Sequence, residues 1–212
     1  APCSVFANHF KQGSFKSRQD IIEFGRDKDI LTIEIEHIDA DALEEVSRSG
    51  VEVIPSVSVI KMIKNKALQK QFLADHQIPT SDFTIIQETK IPPDQAKEWY
   101  PFVQKSQLDG YDGKGVAVIE HEEDLKHELK LPSILEKKVD IEKELAITIA
   151  IDGEGKVRYF PICEMVFDPN LNLVDFILAP ATISAGIIKK VLAVTKQVAA
   201  ALDSKGIYSI EL

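Results

Sequence analysis

The residues best equipped for chemistry lie between Lys105 and Val116, in the order K-S-Q-L-D-G-Y-D-G-K-G-V. Gly110, Gly113 and Gly115 fall within six residues, between strand-like runs at Pro101–Gln104 and Val116–Ile119. Glycine admits positive φ and lets the backbone approach a ligand with no Cβ in the way. Successive N–H groups in such a turn can form an anion-binding concavity, and Lys105 and Lys114 add positive charge at its edge. The chemistry this suits is the holding of a phosphate. Glycine and aspartate are also what plain hairpin turns use. The spacing is neither a Walker loop nor a dinucleotide fingerprint, which removes the two commonest phosphate loops.

Other polar residues stand where they could join such a site. Lys66 opens a helix pattern, and with Lys105 it could compensate polyphosphate charge; each could equally be a surface lysine. Glu136 and Glu144 sit on adjacent strand patterns separated by Lys137, Lys138, Val139 and Asp140. One of these carboxylates could bond a ribose hydroxyl while the backbone near Val139 reads an adenine edge; solvated strand glutamates are the alternative. Glu211 alternates with apolar neighbours, and an inward carboxylate there could hold magnesium, given a second acid. Glu34, Glu36 and His37 end the first strand pattern, where α/β layers often bind ligands, although an exposed His beside acids is usually just solvated. Cys163 has no partnering base at a meaningful spacing and reads as a small core residue.

The elements that must position these residues are legible in outline. Ile30–Ile35 alternates as a strand, a helix pattern runs from Asp39 to Ser49, and Val51–Ile54 resumes extended structure, an α/β layer. Helices follow from Ser56 to Asn65 and from Lys66 to His76, and Ile78-Pro79-Thr80 reads as a hinge. Beyond it, strands at Phe83–Ile86, Phe102–Gln104, Val116–Ile119, Ile134–Val139, Glu144–Ile151, Val157–Phe160 and Leu173–Ala179 are expected. Helices are expected at Asp94–Trp99, Glu122–Lys130 and Ser184–Leu202, before a last strand at Ile207–Leu212. Strands with helices on one face make this second region α+β.

The totals exclude some functions. The chain has 212 residues and a formal net charge of −9, a poor match for a duplex nucleic-acid binder. Two cysteines far apart, with no secretory signal and no bilayer-length apolar run, point to a cytoplasmic protein without a disulfide scaffold. Lysines concentrate locally at Lys61, Lys64, Lys66 and Lys70, so a small phosphate-bearing ligand remains compatible with the acidic total. The absence of an initiator Met and a strand pattern still running at Leu212 lead to the expectation of a portion of a longer protein.

Taken in order, Thr32–His37 (T-I-E-I-E-H), Asn65–Leu73 (N-K-A-L-Q-K-Q-F-L), Gly110–Gly115 (G-Y-D-G-K-G), Glu136–Glu144 (E-K-K-V-D-I-E-K-E) and the closing G-I-Y-S-I-E-L resemble one family. It is 5-(carboxyamino)imidazole ribonucleotide synthetase, the ATPase component of phosphoribosylaminoimidazole carboxylase, with an ATP-grasp fold. The resemblance spans essentially the whole chain, and the glycine loop is its most specific part.

The resemblance implies α/β plus α+β architecture in three parts: the end of an N-terminal α/β domain with connecting helices (1–78), a lid carrying the glycine loop (79–139) and the first part of a C-terminal domain (140–212). It implies that Lys66 and Lys105 contact the phosphates of ATP while Gly110, Tyr111, Asp112, Gly113, Lys114, Gly115 and Val116 close over them. Glu136, Lys137, Lys138 and Val139 would line the adenine site, Glu144 would meet the ribose, and Glu211 would be the first Mg2+ ligand. The implied reaction joins bicarbonate to aminoimidazole ribonucleotide through carboxyphosphate, in a homodimer of purine biosynthesis that engages neither nucleic acid nor membrane. No catalytic residue is assigned. Asp109 replaces a usual glycine of the loop, and Phe167 stands where some members carry a histidine. The family's N-terminal glycine-rich turn, second metal acid and acceptor motif fall outside this sequence. Two alternatives therefore stay open: an ATP-grasp carboxylase or ligase with a different acceptor, and a nucleotide-binding fragment without catalysis.

Overall fold

A computed structural model describes residues 2–108, 115–168 and 173–212. The chain divides into two compact units, residues 1–61 and 62–212.

The first unit is a small α/β layer. After a 3-10 turn at Pro2–Phe6 come helix α1 (Arg18–Gly25), strand β1 (Ile30–Thr32), helix α2 (Ala40–Arg48), strand β2 (Glu52–Ile54) and the start of helix α3 (Val57–Lys64). Asp39 caps α2 by accepting the N–H groups of Asp41 and Ala42, which satisfies two of the helix's orphan donors. β1 and β2 pair in parallel over a core of Ile21, Leu31, Leu43, Val46, Val53 and Ile60. A Cβ on Gly25 would come within 2.7 Å of Val46, so only glycine lets α1 lie this close to α2. The expected first strand is shorter than its alternation implies. Its last pair is Thr32↔Ile54, and Pro55 then offers no N–H to extend the ladder. Helix α1 was not foreseen from the sequence.

The second unit holds two antiparallel sheets. Helix α4 (Lys66–Asp75) leads into strand β3 (Phe83–Ile86), helix α5 (Pro93–Trp99) and strands β4 (Phe102–Ser106), β5 (Val116–Ile119) and β6 (Ser133–Lys137). These strands order as β3-β6-β4-β5. α5 covers one face, packing Ile86, Ile91, Ala96, Phe102, Ile119 and Leu135. The expected helix at Glu122–Lys130 is only a 3-10 turn ending at His127. Its continuation is prevented because Leu129 gives both backbone groups to the Gln104 side chain, the N–H at 2.7 Å and the C=O at 3.0 Å.

The second sheet comprises β7 (Glu144–Ile151), β8 (Val157–Phe167), β9 (Val174–Leu178) and β10 (Gly206–Glu211), ordered β10-β7-β8-β9. Helix α6 (Ala185–Leu202) lies on one face, with Val191 packed against Leu145 and Ile147. β8 runs well past the expected stop at Phe160. Pro161 is tolerated because the register shifts there: Ile147 pairs with Ile162 and Ile149 with Tyr159, so Phe160 and Pro161 together oppose Thr148.

Candidate functional site

Period-2 alternation decides which side chains meet on the first sheet. Val103 pairs with Glu136 and Lys105 with Ile134, so Lys105 and Glu136 are diagonal neighbours on the face away from α5. Lys105 Nζ lies 3.0 Å from Glu136 Oε2. The Glu136 side chain is 10% exposed and that of Lys105 32%, so the carboxylate is buried while the ammonium keeps an open side. Glu136 is therefore not a solvated strand glutamate.

A second lysine meets Glu136 from α4. Lys70 Nζ is 3.5 Å from Glu136 Oε1 and donates to Thr80 Oγ1 at 2.5 Å and Ser81 Oγ at 2.8 Å. Ser81 in turn donates to Glu136 Oε2 at 3.1 Å, and the Phe83 ring lies 6.0 Å from the ammonium. Burial pushes the Lys70 ammonium below its ordinary value, and the charge of Glu136 opposes that shift. Sequence reasoning counted Lys70 only among a local concentration of lysines, with no role of its own, and missed the two hydroxyls. The available signal was a lysine three residues after the buried Ala67, on the inward stripe of α4.

The second sheet contributes carboxylates. Glu211 pairs with Ala146, and Leu145 and Leu212 exchange backbone bonds at 2.9 and 2.8 Å, which puts Glu144 on the same face as Glu211. Burial pushes the Glu144 carboxyl up, the charge of Glu211 pushes it further, and Lys105 partly offsets both. The charges of Glu211 and Lys105 thus both act on Glu144, although Lys105 comes from the other sheet. Cys163 is not a core residue. It pairs with Ala146, and alternation turns it to this carboxylate face, opposite its neighbour Ile162, where it is half-buried.

The remaining expected site residues are placed as follows. Lys66 is the first residue of α4, and its N–H bonds the carbonyl of Gln107 at 2.9 Å, tying the helix to the base of the glycine loop. Ser106 N–H bonds Gly115 O at 2.8 Å, and Gly115 has φ of +77°, so the loop's closing position does require glycine. Gly110, Tyr111, Asp112, Gly113 and Lys114 lie outside the described residues, as does Asp109. Val116 and Val118 stand 36% and 49% exposed on the Lys105 face, an apolar wall beside the ammonium. The Lys137 side chain is turned elsewhere, donating to Glu98 O at 2.9 Å and lying 5.4 Å from the Trp99 ring. Lys138 pairs with Glu120, and Val139 is exposed just past β6. Glu34, Glu36 and His37 follow β1 in the first unit.

The set can grip an anion with Lys105 and the loop base. It can also offer carboxylate oxygens to a hydroxyl or a hard cation. Among the described residues no group of three or more His, Cys, Asp or Glu could by itself hold a metal ion. Two like-charged carboxylates on one face, the charge of one pushing the other's carboxyl up, do suit a divalent ion shared with phosphate. No helix among the described residues is long and apolar enough to cross a membrane.

Residues 71–212 match the ATP-grasp domain family and residues 1–64 match the ribonucleotide synthetase preATP-grasp domain family. A phosphoribosylaminoimidazole carboxylase of Ogataea methanolica is 30% identical over 207 residues, 94% of this chain and 38% of that protein. A carboxyaminoimidazole ribonucleotide synthase of Aspergillus clavatus, solved with ATP, superimposes with a TM-score of 0.88 at 30% identity, covering 100% of this chain and 57% of that one. A structure of the Aspergillus clavatus synthase with ADP and 5-aminoimidazole ribonucleotide gives a TM-score of 0.85 at 28% identity, covering 99% of this chain and 56% of that one. The chain thus spans little more than half the length of the solved relatives and less of the curated one.

Proposed function

This chain belongs to the ATP-grasp family, and we propose that it carries the nucleotide-gripping part of an ATP-dependent carbon–nitrogen ligase. Its reaction would be the carboxylation of 5-aminoimidazole ribonucleotide by bicarbonate, through carboxyphosphate, to 5-(carboxyamino)imidazole ribonucleotide in purine biosynthesis. The observation that carries this reading is Lys105 held 3.0 Å from the buried Glu136 with one side open, and acting by its charge on Glu144, in a chain that superimposes on an ATP-bound synthase of this activity.

ATP would supply the phosphoryl group that activates bicarbonate, and Mg2+ would neutralise its charge in transfer. The chain's own residues would do the positioning. Lys105, open on one side, would turn from Glu136 toward phosphate oxygens, a point charge on a flexible stem. Lys66 and the loop from Gly110 to Val116 would add donors, and closure of that loop would keep water from a labile intermediate. Glu144 would accept from a ribose hydroxyl, Glu211 would give an oxygen to magnesium, and the backbone from Glu136 to Val139 would border the adenine. The Glu136 carboxylate is shared by Lys70 and Lys105, which supports a role for it in organising those lysines as well.

Under this reading residues 1–78, 79–139 and 140–212 are the N-terminal, lid and C-terminal portions. The protein is then a cytoplasmic homodimer with no nucleic-acid or membrane partner. Exposed Phe176, Ile177 and Leu178 on β9 support burial of that strand in the working assembly.

The test is ADP release with magnesium, ATP and bicarbonate, with and without 5-aminoimidazole ribonucleotide, and with Lys105→Ala as control. Stimulation by the ribonucleotide, lost in the variant, is the expected result. ADP release without stimulation would redirect the reading to a ligase with another acceptor. Nucleotide binding without any turnover would favour a non-catalytic module.

A further inference from the structure

We propose that Lys70 is a positioning residue for the nucleotide site: through Glu136 it sets where the Lys105 ammonium stands, without itself touching substrate. The inference rests on the ATP-binding reading above and adds to it a residue that neither the loop nor the strand patterns point to.

The geometry separates the two lysines by task. Lys70 is 11% exposed at the side chain and its three N–H donors face Thr80, Ser81 and Glu136, with the Phe83 ring beside them. An ammonium so enclosed has no donor left for a phosphate. Lys105 has the same carboxylate as its partner but is 32% exposed. Glu136 divides its oxygens accordingly, Oε1 to Lys70 and Oε2 to Lys105 and Ser81. A carboxylate held on one oxygen by a buried cation keeps a fixed orientation and spends only part of its charge on Lys105. Without Lys70, its full charge and its freedom to rotate would fall on Lys105. The lysine would then be drawn down onto the sheet and away from an incoming anion.

The placement also ties three segments of the chain together. Lys70 is on α4, Thr80 and Ser81 lie just before β3, and Glu136 is on β6, beside β4. α4 is independently joined to the loop base by the bond from Lys66 N–H to Gln107 O at 2.9 Å. The cluster therefore fixes the sheet that carries Lys105 against the helix that carries Lys66. A purely structural staple would do as much for stability. It would not make the effect of Lys70 on nucleotide affinity depend on Lys105.

That dependence is the test. ATP is titrated calorimetrically into the unmutated protein, Lys70→Met, Lys105→Ala and the double variant, with melting temperatures recorded for each. Lys70→Met is expected to weaken ATP roughly tenfold when Lys105 is present and to change nothing further when Lys105 is alanine, the non-additivity of residues in one network. Lys70→Arg, which keeps the charge, should restore most of the affinity. If Lys70→Met does not fold, Ser81→Ala in the same two backgrounds is expected to show a smaller loss with the same dependence. Equal losses with and without Lys105, or unchanged affinity in Lys70→Met, would overturn the proposal while leaving the ATP-binding reading intact. An unmutated protein that binds no ATP would overturn both.

Discussion

The two charged clusters of the second unit are built on opposite terms. Around Glu136, two lysines and a serine hydroxyl meet one carboxylate that is 10% exposed, and each buried charge has its counter-charge. On the other sheet, Glu144 and Glu211 share a face, and the charge of Glu211 adds to burial in pushing the Glu144 carboxyl up, with Lys105 only partly offsetting them. The first cluster is complete without a ligand and holds a lysine ready. The second is unfavourable as it stands and is relieved by a cation or a hydrogen-bond donor. A site for a metal–polyphosphate needs both, a fixed anion grip and a carboxylate edge whose charge is settled only on binding.

Breaking the completed cluster should have the largest effect. Glu136→Ala leaves Lys70 buried without a carboxylate, which is expected to cost about 3–5 kcal/mol, or roughly 6–20 °C in melting temperature. Calorimetric unfolding within a degree or two of the parent would show that the pair carries no stability. Lys105→Ala should weaken ATP binding by more than about tenfold, because a charge-assisted contact is lost. It should barely move the melting temperature, since this ammonium is one-third exposed. Unchanged affinity by isothermal titration would remove Lys105 from the phosphate site.

The carboxylate cluster should respond differently. Glu211→Gln is expected to reduce magnesium-dependent turnover roughly tenfold or more with the fold intact. A fully active variant would refute the metal assignment. The smallest effect is a gain. Glu144→Gln removes the repulsion from Glu211 and should raise the melting temperature of the unliganded protein by about 1–3 °C, since charges this close to solvent are screened. The sign follows from linkage. A carboxyl whose folded value is raised above its ordinary 4.5 favours the folded state at low pH, and this contribution disappears as pH climbs through the raised value. The parent should therefore fall behind Glu144→Gln as pH increases, and thermal melts that kept a constant gap would contradict the pairing.

How much of this could be read beforehand depended on whether local pattern or long-range contact decided each element. The strands on either side of the glycine loop, the start of α4 at Lys66 and the long helix α6 carry their own periodicity and caps, with Asn65 and Ser184 as cap residues. They were legible in the sequence. The stop of β1 was not, because its length is set by Pro55, which follows the partner strand. The passage of β8 through Pro161 depends on an irregularity opposite Thr148, which no local pattern announces. Lys70 was hidden for the same reason. A lysine on a helix reads as solvated until Thr80, Ser81 and Glu136 are brought round it by the fold. The resemblance singled out Glu144 and Glu211, but their shared face depends on the β7–β10 register.

The central claim is that the two clusters serve one metal–nucleotide site, and ATP affinity with and without magnesium tests it most directly. Titrations of the parent, Lys105→Ala and Glu211→Gln should show Lys105→Ala weakened under both conditions. Glu211→Gln should keep the magnesium-free affinity and lose most of the gain that magnesium confers. A Glu211→Gln protein with the parent's full magnesium gain would separate the carboxylate cluster from the nucleotide and contradict the account.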